Sequence, residues 1–320
     1  MRDEEYAYAV AYTKTYENKM LSQKDLETLL RYETIQEAMK FLRDRGYGGE
    51  SADPEAMLKA ELEKAWQVVY DVCGDDAPVE ILLYQNDFHN LKTILKAVMS
   101  NAPWENLVLQ PSIAAPEEIY DAVVHVQFDE LPAFLQNPAK EAYTLISTTN
   151  DGQLMEIFLD RELYMAMKKQ AVEENSTFLR EWVELNIVIA DLKTAVRGAL
   201  GRKTKAFLEN AMIPSDTLNI ERLVQAAAEG SEAVYGVVSE IFPDAAEALQ
   251  KSFDAFEKWC DNRRMAMVRA EKNKFFGFEP ILAFLIGKQT ELQAVRIILS
   301  GKENRVPEEI IQERLRDMYV

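Results

Sequence analysis

The sequence predicts an all-α protein, and three observations support that prediction. Helix-breaking residues are sparse, because 320 residues contain only 12 glycines and 11 prolines. Long windows are instead dominated by Ala, Leu, Glu and Lys, which favour the α-helix. A helical motif also occurs three times at nearly constant spacing, which is typical of a repeated helical unit.

The repeated motif is a helical stretch in which an apolar residue is followed directly by a base. Its copies span residues 87–97, 188–198 and 291–301, and each ends in a small residue. The bases are Lys92, Lys193 and Arg296, which are 101 and 103 residues apart. Equivalent positions in three copies favour a structural role, with the side-chain stem over apolar surface and the charged head paired with an acid. Contact with a partner is the alternative.

A half-module of short helices is predicted at residues 1–50. Residues 6–21 carry apolar and aromatic side chains along one helix face. Ser22 and Asp25 form a variant of the capping box and begin the second helix. A third helix ends in the glycine-rich stretch 46–49. This half-module resembles the second half of the repeated cycle, with Lys14 in place of the base.

The first full module is predicted at residues 51–150. Asp53-Pro54-Glu55 supplies an N-cap, a first-turn proline and an acid, and begins a long helix that ends before the break at residues 74–78. The first copy of the motif follows. Pro116 then begins a further helix with the sequence Pro-Glu-Glu-Ile.

Two further modules are predicted at residues 151–243 and 244–320. Each begins with a long helix, at 153–172 and at 244–274, and continues into its copy of the motif. The third module ends soon after a second Pro-Glu-Glu-Ile at residues 307–310 and is truncated. Because the chain begins and ends with partial cycles, it would close on itself into a ring or funnel. An open solenoid with the same repeats is the alternative.

Charge and hydropathy limit the classes of partner. A net charge of −18 disfavours nucleic acid and anionic membrane surfaces, and better suits a basic protein partner or simple solubility. The most apolar run, residues 275–286, is too short to span a bilayer, so we expect any membrane connection to run through another protein. Two distant cysteines indicate neither a disulfide framework nor a zinc site, and favour a cytoplasmic setting.

Patterns that would carry chemistry are weak in this sequence. The Gly-Lys pairs at residues 287–288 and 301–302 are not followed by the Ser or Thr that a phosphate-binding loop needs. Asp121 and His125 would share a helix face, but further ligands for a metal are lacking, and a structural role is favoured for His125 and His89. We therefore predict no catalytic residue, no cofactor and no metal site.

The most basic stretch of the chain lies near the end of the predicted long helix of the third module. It contains Arg263, Arg264, Arg269, Lys272 and Lys274. A solvated helix face is the simpler interpretation of such a run, and a contact patch for an acidic partner is the functional alternative.

Several stretches resemble one family, the C subunit of the bacterial and archaeal V-type (A-type) rotary ATPases, whose eukaryotic counterpart is the d subunit of the V-ATPase. The resemblance lies in residues 8–21 and 87–95 and above all near the C-terminus. There it includes Phe-Gly-Phe-Glu-Pro-Ile at 276–281, residues 291–302 and Pro-Glu-Glu-Ile at 307–310. It covers essentially the full length of the chain.

The resemblance implies a funnel of three similar helical domains around a pseudo-threefold axis. It implies a subunit without an active site on the cytoplasmic side of the membrane. Such a subunit lies between the rotating central shaft, made of the D and F subunits, and the membrane ring of proteolipids, and transmits torque for H⁺ or Na⁺ translocation. Stiffness would come from close helix packing.

Two other classes of function fit the sequence less well. An all-α Mg²⁺-dependent enzyme needs two acid clusters that face one cavity. The only Asp pair is Asp75-Asp76, and the pairs Glu117-Glu118 and Glu308-Glu309 follow prolines, where acids stabilise a helix N-terminus. A generic helical-repeat scaffold is disfavoured because its repeats are typically about 20 to 50 residues long.

Overall fold

The protein is described by a computed structural model that covers residues 6–48, 53–73 and 78–320. The regular structure of these ranges is helical and contains no β-strand, so the predicted all-α fold is confirmed. Short 3-10 helices lie at Pro78–Leu83 and Phe128–Glu130. The predicted module boundary at residues 50 and 51 and most of the predicted break after residue 73 lie outside the described residues.

The α-helices are numbered here in chain order. The first eight are α1 (Ala7–Glu17), α2 (Gln23–Arg31), α3 (Ile35–Asp44), α4 (Pro54–Cys73), α5 (Tyr84–Ser100), α6 (Pro116–His125), α7 (Ala133–Thr149) and α8 (Gly152–Glu173). The others are α9 (Thr177–Leu200), α10 (Lys205–Ala211), α11 (Ile220–Glu229), α12 (Ser231–Ile241), α13 (Pro243–Lys251), α14 (Phe253–Glu271), α15 (Glu279–Glu303) and α16 (Glu308–Arg314).

The chain divides into two compact units. Unit 1 combines residues 1–79 with residues 244–320, and unit 2 consists of residues 80–243. Unit 1 therefore brings the two ends of the sequence together. The four-part division predicted from the repeats is finer than this one and stays a prediction.

The predicted long helix at 244–274 is wrong in one respect, because it is two helices. Ser252 separates α13 from α14 with an extended backbone, at φ −172° and ψ 163°. Its hydroxyl accepts a hydrogen bond from the backbone N–H of Ala255 at 3.0 Å and so caps α14.

The predicted capping box at the start of α2 is confirmed. The Ser22 N–H donates to Asp25 Oδ2 at 3.0 Å, and the Asp25 N–H donates to Ser22 Oγ at 3.3 Å.

The core of unit 1 is built around α15, which contacts α1, α2, α3, α4 and α14. Its apolar residues share one cluster with residues from the first 60 positions of the chain, among them Leu26, Leu29, Met57 and Leu58. Gly287 lies under the ring of Tyr319, where an added Cβ would be 2.5 Å from Cγ. The C-terminal residues are thus packed directly on α15.

Unit 2 contains the first and second copies of the repeated motif, in α5 and α9. Helix α5 contacts α6, α7 and α8, and α9 contacts α8, α10, α11 and α12. Each helix has a buried face along its length, and the side chains of Phe88, Leu91, Ile187 and Leu192 have no exposed surface.

Two short helices take equivalent places after the second and third copies. Helix α10 begins twelve residues after Lys193, and α16 begins twelve residues after Arg296. Helix α6 begins 24 residues after Lys92, so the two Pro-Glu-Glu-Ile sequences open helices at different places in the cycle. No helix begins twelve residues after Lys92, and residues 101–115 there form a loop.

Candidate functional site

Each copy of the repeated helix carries one acid that is completely buried. These acids are Asp87 in α5, Asp191 in α9 and Glu291 in α15. A buried carboxylate is costly unless hydrogen bonds compensate for the lost water. The partners of these three acids therefore show what the repeated helix does in the fold.

Asp87 holds the backbone of the loop that leads into α6. Its Oδ1 accepts a hydrogen bond from the Ala114 N–H at 2.9 Å, and its Oδ2 accepts one from the Ile113 N–H at 3.1 Å. Burial raises the pKa of Asp87 to about 6, although these two backbone N–H groups lower it. The acid thus fixes the start of the next helix.

Asp191 also binds loop backbone, but with one hydrogen bond where Asp87 has two. Its Oδ1 accepts a hydrogen bond from the Ile213 N–H at 2.9 Å. Its Oδ2 is buried and has no hydrogen-bond partner within the described ranges. Burial raises the pKa of Asp191 to about 7, with a further increase from the charge of Glu184 and a decrease from Arg161.

Glu291 joins the two ends of the sequence inside unit 1. Its carboxylate accepts hydrogen bonds from the Leu21 N–H at 2.6 Å and from the Tyr47 hydroxyl. Burial, and then the charge of Glu291, raise the pKa of Tyr47 well above its usual value. Leu21 directly precedes the N-cap of α2, as Ala114 directly precedes the N-cap of α6. Glu291 therefore makes across the two ends the contact that Asp87 makes within unit 2.

A buried cation completes this arrangement. Lys288 Nζ lies 2.7 Å from Glu291 Oε1 and 3.2 Å from Oε2 of Glu61, which is buried on α4. Glu61 also accepts a hydrogen bond from the Gly48 N–H at 3.0 Å. We call this arrangement the closure network; it consists of Glu61, Lys288, Glu291 and Tyr47. It connects α4, α15 and the turn that follows α3.

A cavity of about 360 Å³ opens beside the closure network. Its rim carries Lys19, Arg45 and Lys64, and its inner wall includes Phe284 and Lys288. Lys64 and Arg45 are engaged within the protein, with Glu61 at 3.3 Å and with Asp25 respectively. The charges around the cavity mostly satisfy one another, which indicates a structural arrangement.

The bases of the repeat occupy three different helices. Lys92 Nζ lies 2.5 Å from Asp160 Oδ1 on α8, and Arg296 Nε lies 3.0 Å from Glu55 Oε1 at the start of α4. Lys193 is half-buried on α9. In both pairs the base meets an acid on the long helix of a cycle.

Two residues of the basic stretch at the end of α14, Arg269 and Lys272, contact the protein's own C-terminal residues. Arg269 Nε donates to the Met318 carbonyl at 2.6 Å, and Lys272 Nζ lies 5.4 Å from the centre of the Tyr319 ring. Other members pair with acids of α14: Arg264 with Asp261 at 3.0 Å and Lys274, just beyond the helix, with Glu271 at 2.6 Å. Arg263 is exposed, and no ion pair is found for it among the described residues.

The two histidines bind backbone carbonyl groups. His125 Nδ1 lies 2.9 Å from the carbonyl oxygen of Asp121, and His89 Nε2 lies 3.0 Å from that of Leu107. Among the residues that the structure describes, no group of three or more His, Cys, Asp or Glu side chains is placed to hold a metal ion. In the same part of the chain, no helix is both long enough and apolar enough to span a membrane.

The buried acids were missed as a set by the sequence reasoning, which followed the bases. The signal was present, because Asp87 and Glu291 both lie five residues before the base of their copy. Asn90 and Asp191 both lie two residues before it. A charged or polar residue at the same step of an otherwise apolar helix face indicates a buried hydrogen-bonding role.

Comparison with known proteins identifies the family. The sequence model of the ATP synthase (C/AC39) subunit family matches residues 9–314. The C subunit of the V-type sodium ATPase of Enterococcus hirae is 24% identical over 95% of this chain and 95% of its own length. The C subunit of the A-type ATP synthase of Methanocaldococcus jannaschii is 24% identical over 95% of this chain and 85% of its own.

A third relative gives the same result at lower coverage of this chain. The C subunit of the V-type ATP synthase of Thermus thermophilus is 24% identical over 86% of this chain and 89% of its own length. The family resemblance deduced from the C-terminal motifs is thus confirmed. The chain belongs to the ATP synthase (C/AC39) subunit family and is similar, over most of its length, to the C subunits of V-type and A-type ATPases.

Proposed function

We propose that this protein is a non-catalytic coupling subunit of a V-type rotary ATPase or ATP synthase. In this proposal it connects the rotating shaft, made of the D and F subunits, to the proteolipid ring, and so serves H⁺ or Na⁺ translocation. It lies on the cytoplasmic side, peripheral to the membrane. Its partners are proteins, and no nucleotide, metal or nucleic acid is required.

The observation that carries the proposal, beside family membership, is the contact between Glu291 and Leu21. An adaptor that transmits torque must not open at its ends. Glu291 Oε2 lies 2.6 Å from the backbone nitrogen of Leu21, 270 residues earlier in the sequence. Lys288 and Glu61 reinforce this contact inside the same core. Close-packed interiors have low compressibility and transmit strain, so such a unit suits a mechanical role.

The proposal includes a threefold arrangement. Modules at residues 51–150, 151–243 and 244–320, completed by residues 1–50, would surround a pseudo-threefold axis and form a funnel. The equivalent contacts of Asp87 and Glu291 support this, because Asp87 fixes the residue before the N-cap of α6 and Glu291 fixes the residue before the N-cap of α2. Arg263, exposed on α14, is the member of the basic stretch that we expect to contact an acidic partner.

Reconstitution tests the function directly. The complex is assembled in proteoliposomes with and without this subunit, and ATP hydrolysis and ion uptake are measured together. We expect hydrolysis to persist without the subunit while uptake is lost, and adding back the purified chain should restore uptake. Equal uptake in both preparations would contradict the proposal.

A further inference from the structure

The loop at residues 101–115 is held against α5 by four polar side chains of that helix. The side chain of Asn90 binds both backbone groups of Leu109: the N–H of Leu109 donates to Oδ1 at 2.7 Å, and Nδ2 donates to its carbonyl at 3.0 Å. Asn86 Nδ2 donates to the Pro111 carbonyl at 2.7 Å. With the contacts of His89 and Asp87 described above, alternate residues from 107 to 113 are fixed. The loop backbone is therefore preorganised.

The leucines of this fixed loop are exposed. Leu107 is 60% exposed and Leu109 is 43% exposed. Four hydrogen-bonding side chains thus hold in place a segment that leaves two large apolar side chains in water. A loop that existed only to connect two helices would not need such anchoring, because connecting loops are ordinarily mobile and variable.

The repeat provides an internal reference for Leu107. It lies ten residues after Ala97, the small residue that ends the first copy of the motif. Leu208 and Ile311 lie ten residues after the small residues of the second and third copies, and they are 0% and 3% exposed. The same position is therefore buried in two copies and open in the first.

Glycine explains the two buried cases. An added Cβ at Gly198 would lie 2.5 Å from Leu208 Cδ2, and one at Gly301 would lie 2.5 Å from Ile311 Cδ1. Both aliphatic side chains thus pack directly on the helix backbone. The first copy has Ala97 at this step, whose Cβ occupies that space. Leu107 is directed elsewhere.

Charge is also depleted around the loop. Residues 97–116 include one charged residue, Glu105, in a chain that is 28% charged. Protein surfaces are ordinarily rich in charge, whereas the centres of protein–protein interfaces are depleted of it. Exposed leucines, a fixed backbone and missing charge together are typical of a surface that a protein partner covers.

We propose that the loop at residues 101–115 is a docking surface for the central shaft, where an uncharged apolar strip of a shaft subunit packs on Leu107 and Leu109. The choice of partner rests on the proposed function. The proteolipid ring is the poorer fit, because cytoplasmic loops of membrane proteins carry an excess of Lys and Arg. Such loops suit acidic surfaces of this chain, which has a net charge of −18. The fixed backbone reduces the entropy lost on binding.

The test uses the full-length chain and two purified partners, the D–F shaft complex and the proteolipid ring. The double variant Leu107→Ser with Leu109→Ser is compared with Leu200→Ser, which changes a 65% exposed leucine of the same unit. We expect the double variant to bind the shaft about tenfold more weakly or worse and the ring unchanged. Leu200→Ser and the conservative Leu107→Met should bind both partners as the wild type does.

The outcomes separate this inference from the proposed function. If the double variant binds the shaft as tightly as the wild type, the docking surface is wrong while the coupling function stands. Loss of ring binding with retained shaft binding overturns the assignment to the shaft. If the wild type binds neither partner, both proposals fail. Unchanged thermal unfolding of the double variant would show that any lost binding is not a loss of fold.

Discussion

The first and third copies of the repeated helix bury the same kind of acid but are covered differently. In α5 and in α15 an acid five residues before the base fixes the residue that precedes a helix N-cap, that of α6 and that of α2 respectively. After α15 a short helix, α16, then buries Ile311 on the helix surface. After α5 an anchored loop leaves Leu107 in water. The hydrogen bond from a backbone N–H to the buried acid is thus common to both copies. The segment that follows the repeated helix differs between them.

The sequences of the covering segments explain the difference. Residues 307–314 begin with proline and two glutamates, which favour a helix N-terminus through the macrodipole. Residues 103–111 also begin with proline, but Pro111 disfavours the α conformation at Gln110. Asn86 and Asn90 then bind the backbone of the loop that results. Pro111 and the side-chain amides of Asn86 and Asn90 therefore favour an ordered loop here in place of a helix.

The largest expected effect comes from breaking the closure network. Lys288→Met leaves Glu291 and Glu61 buried without their shared cation, and removing one partner of a buried ion pair costs about 3–5 kcal/mol. We expect the midpoint of chemical denaturation to fall accordingly. The matched control is Lys64→Met, since Lys64 meets the same Glu61 at 3.3 Å but has 51% of its side chain exposed. Similar losses for both variants would contradict a special role for the buried cation.

The second prediction compares equivalent residues directly. Leu208→Ala removes a completely buried side chain and should lower the free energy of unfolding by about 2–5 kcal/mol. Leu107→Ala changes a side chain that is 60% exposed and should alter it by less than about 0.5 kcal/mol. Denaturant titration of the two variants measures both values. Equal losses would show that Leu107 is covered within the free protein.

The third prediction concerns the pH dependence of stability. Burial raises the pKa of Asp191 to about 7 in the folded protein, above its value in the unfolded chain. The folded state therefore keeps a proton that the unfolded state has lost, and stability falls as pH rises from about 4 through 7. Asp87, with a pKa of about 6, acts in the same direction.

Replacing Asp191 should flatten this dependence. Asp191→Asn keeps an oxygen that accepts the hydrogen bond from Ile213 and removes the titration. We expect the fall in the free energy of unfolding between about pH 5 and pH 8 to shrink by about 1–3 kcal/mol. Asp121→Asn, at an exposed carboxylate of the same unit, is the control and should leave the slope unchanged. A wild-type stability that rises over this interval would contradict the assignment.

Local patterns in the sequence were enough to predict the helical fold and the Ser22 capping box, because both depend on neighbouring residues. The break at Ser252 was missed because Ala, Leu and Phe on either side continue a helical pattern through it. The two Pro-Glu-Glu-Ile sequences also do not mark equivalent positions of the repeat. Helix α6 begins 24 residues after Lys92, whereas α16 begins twelve residues after Arg296.

The contacts of the buried acids could not be predicted, because they depend on chain segments that are distant in sequence. Nothing near Glu291 indicates that its partner is Leu21, 270 residues away. The exposure of Leu107 could not be predicted from the neighbouring residues either, because Trp-Glu-Asn-Leu-Val-Leu is compatible with a short buried helix. The aligned copies do carry one signal, since Ala97 stands where the other two copies have glycine.

The smallest expected effects are those of the repeated bases. Arg296→Met and Lys92→Met break ion pairs with Glu55 and Asp160 whose acids are 62% and 57% exposed. Exposed pairs of this kind contribute about 0.2–1 kcal/mol, and salt weakens them further. Urea titration at low and high salt should therefore show small losses of stability that shrink as salt is added. A loss as large as that of Lys288→Met would mean that the bases, and not the buried acids beside them, hold the cycles together.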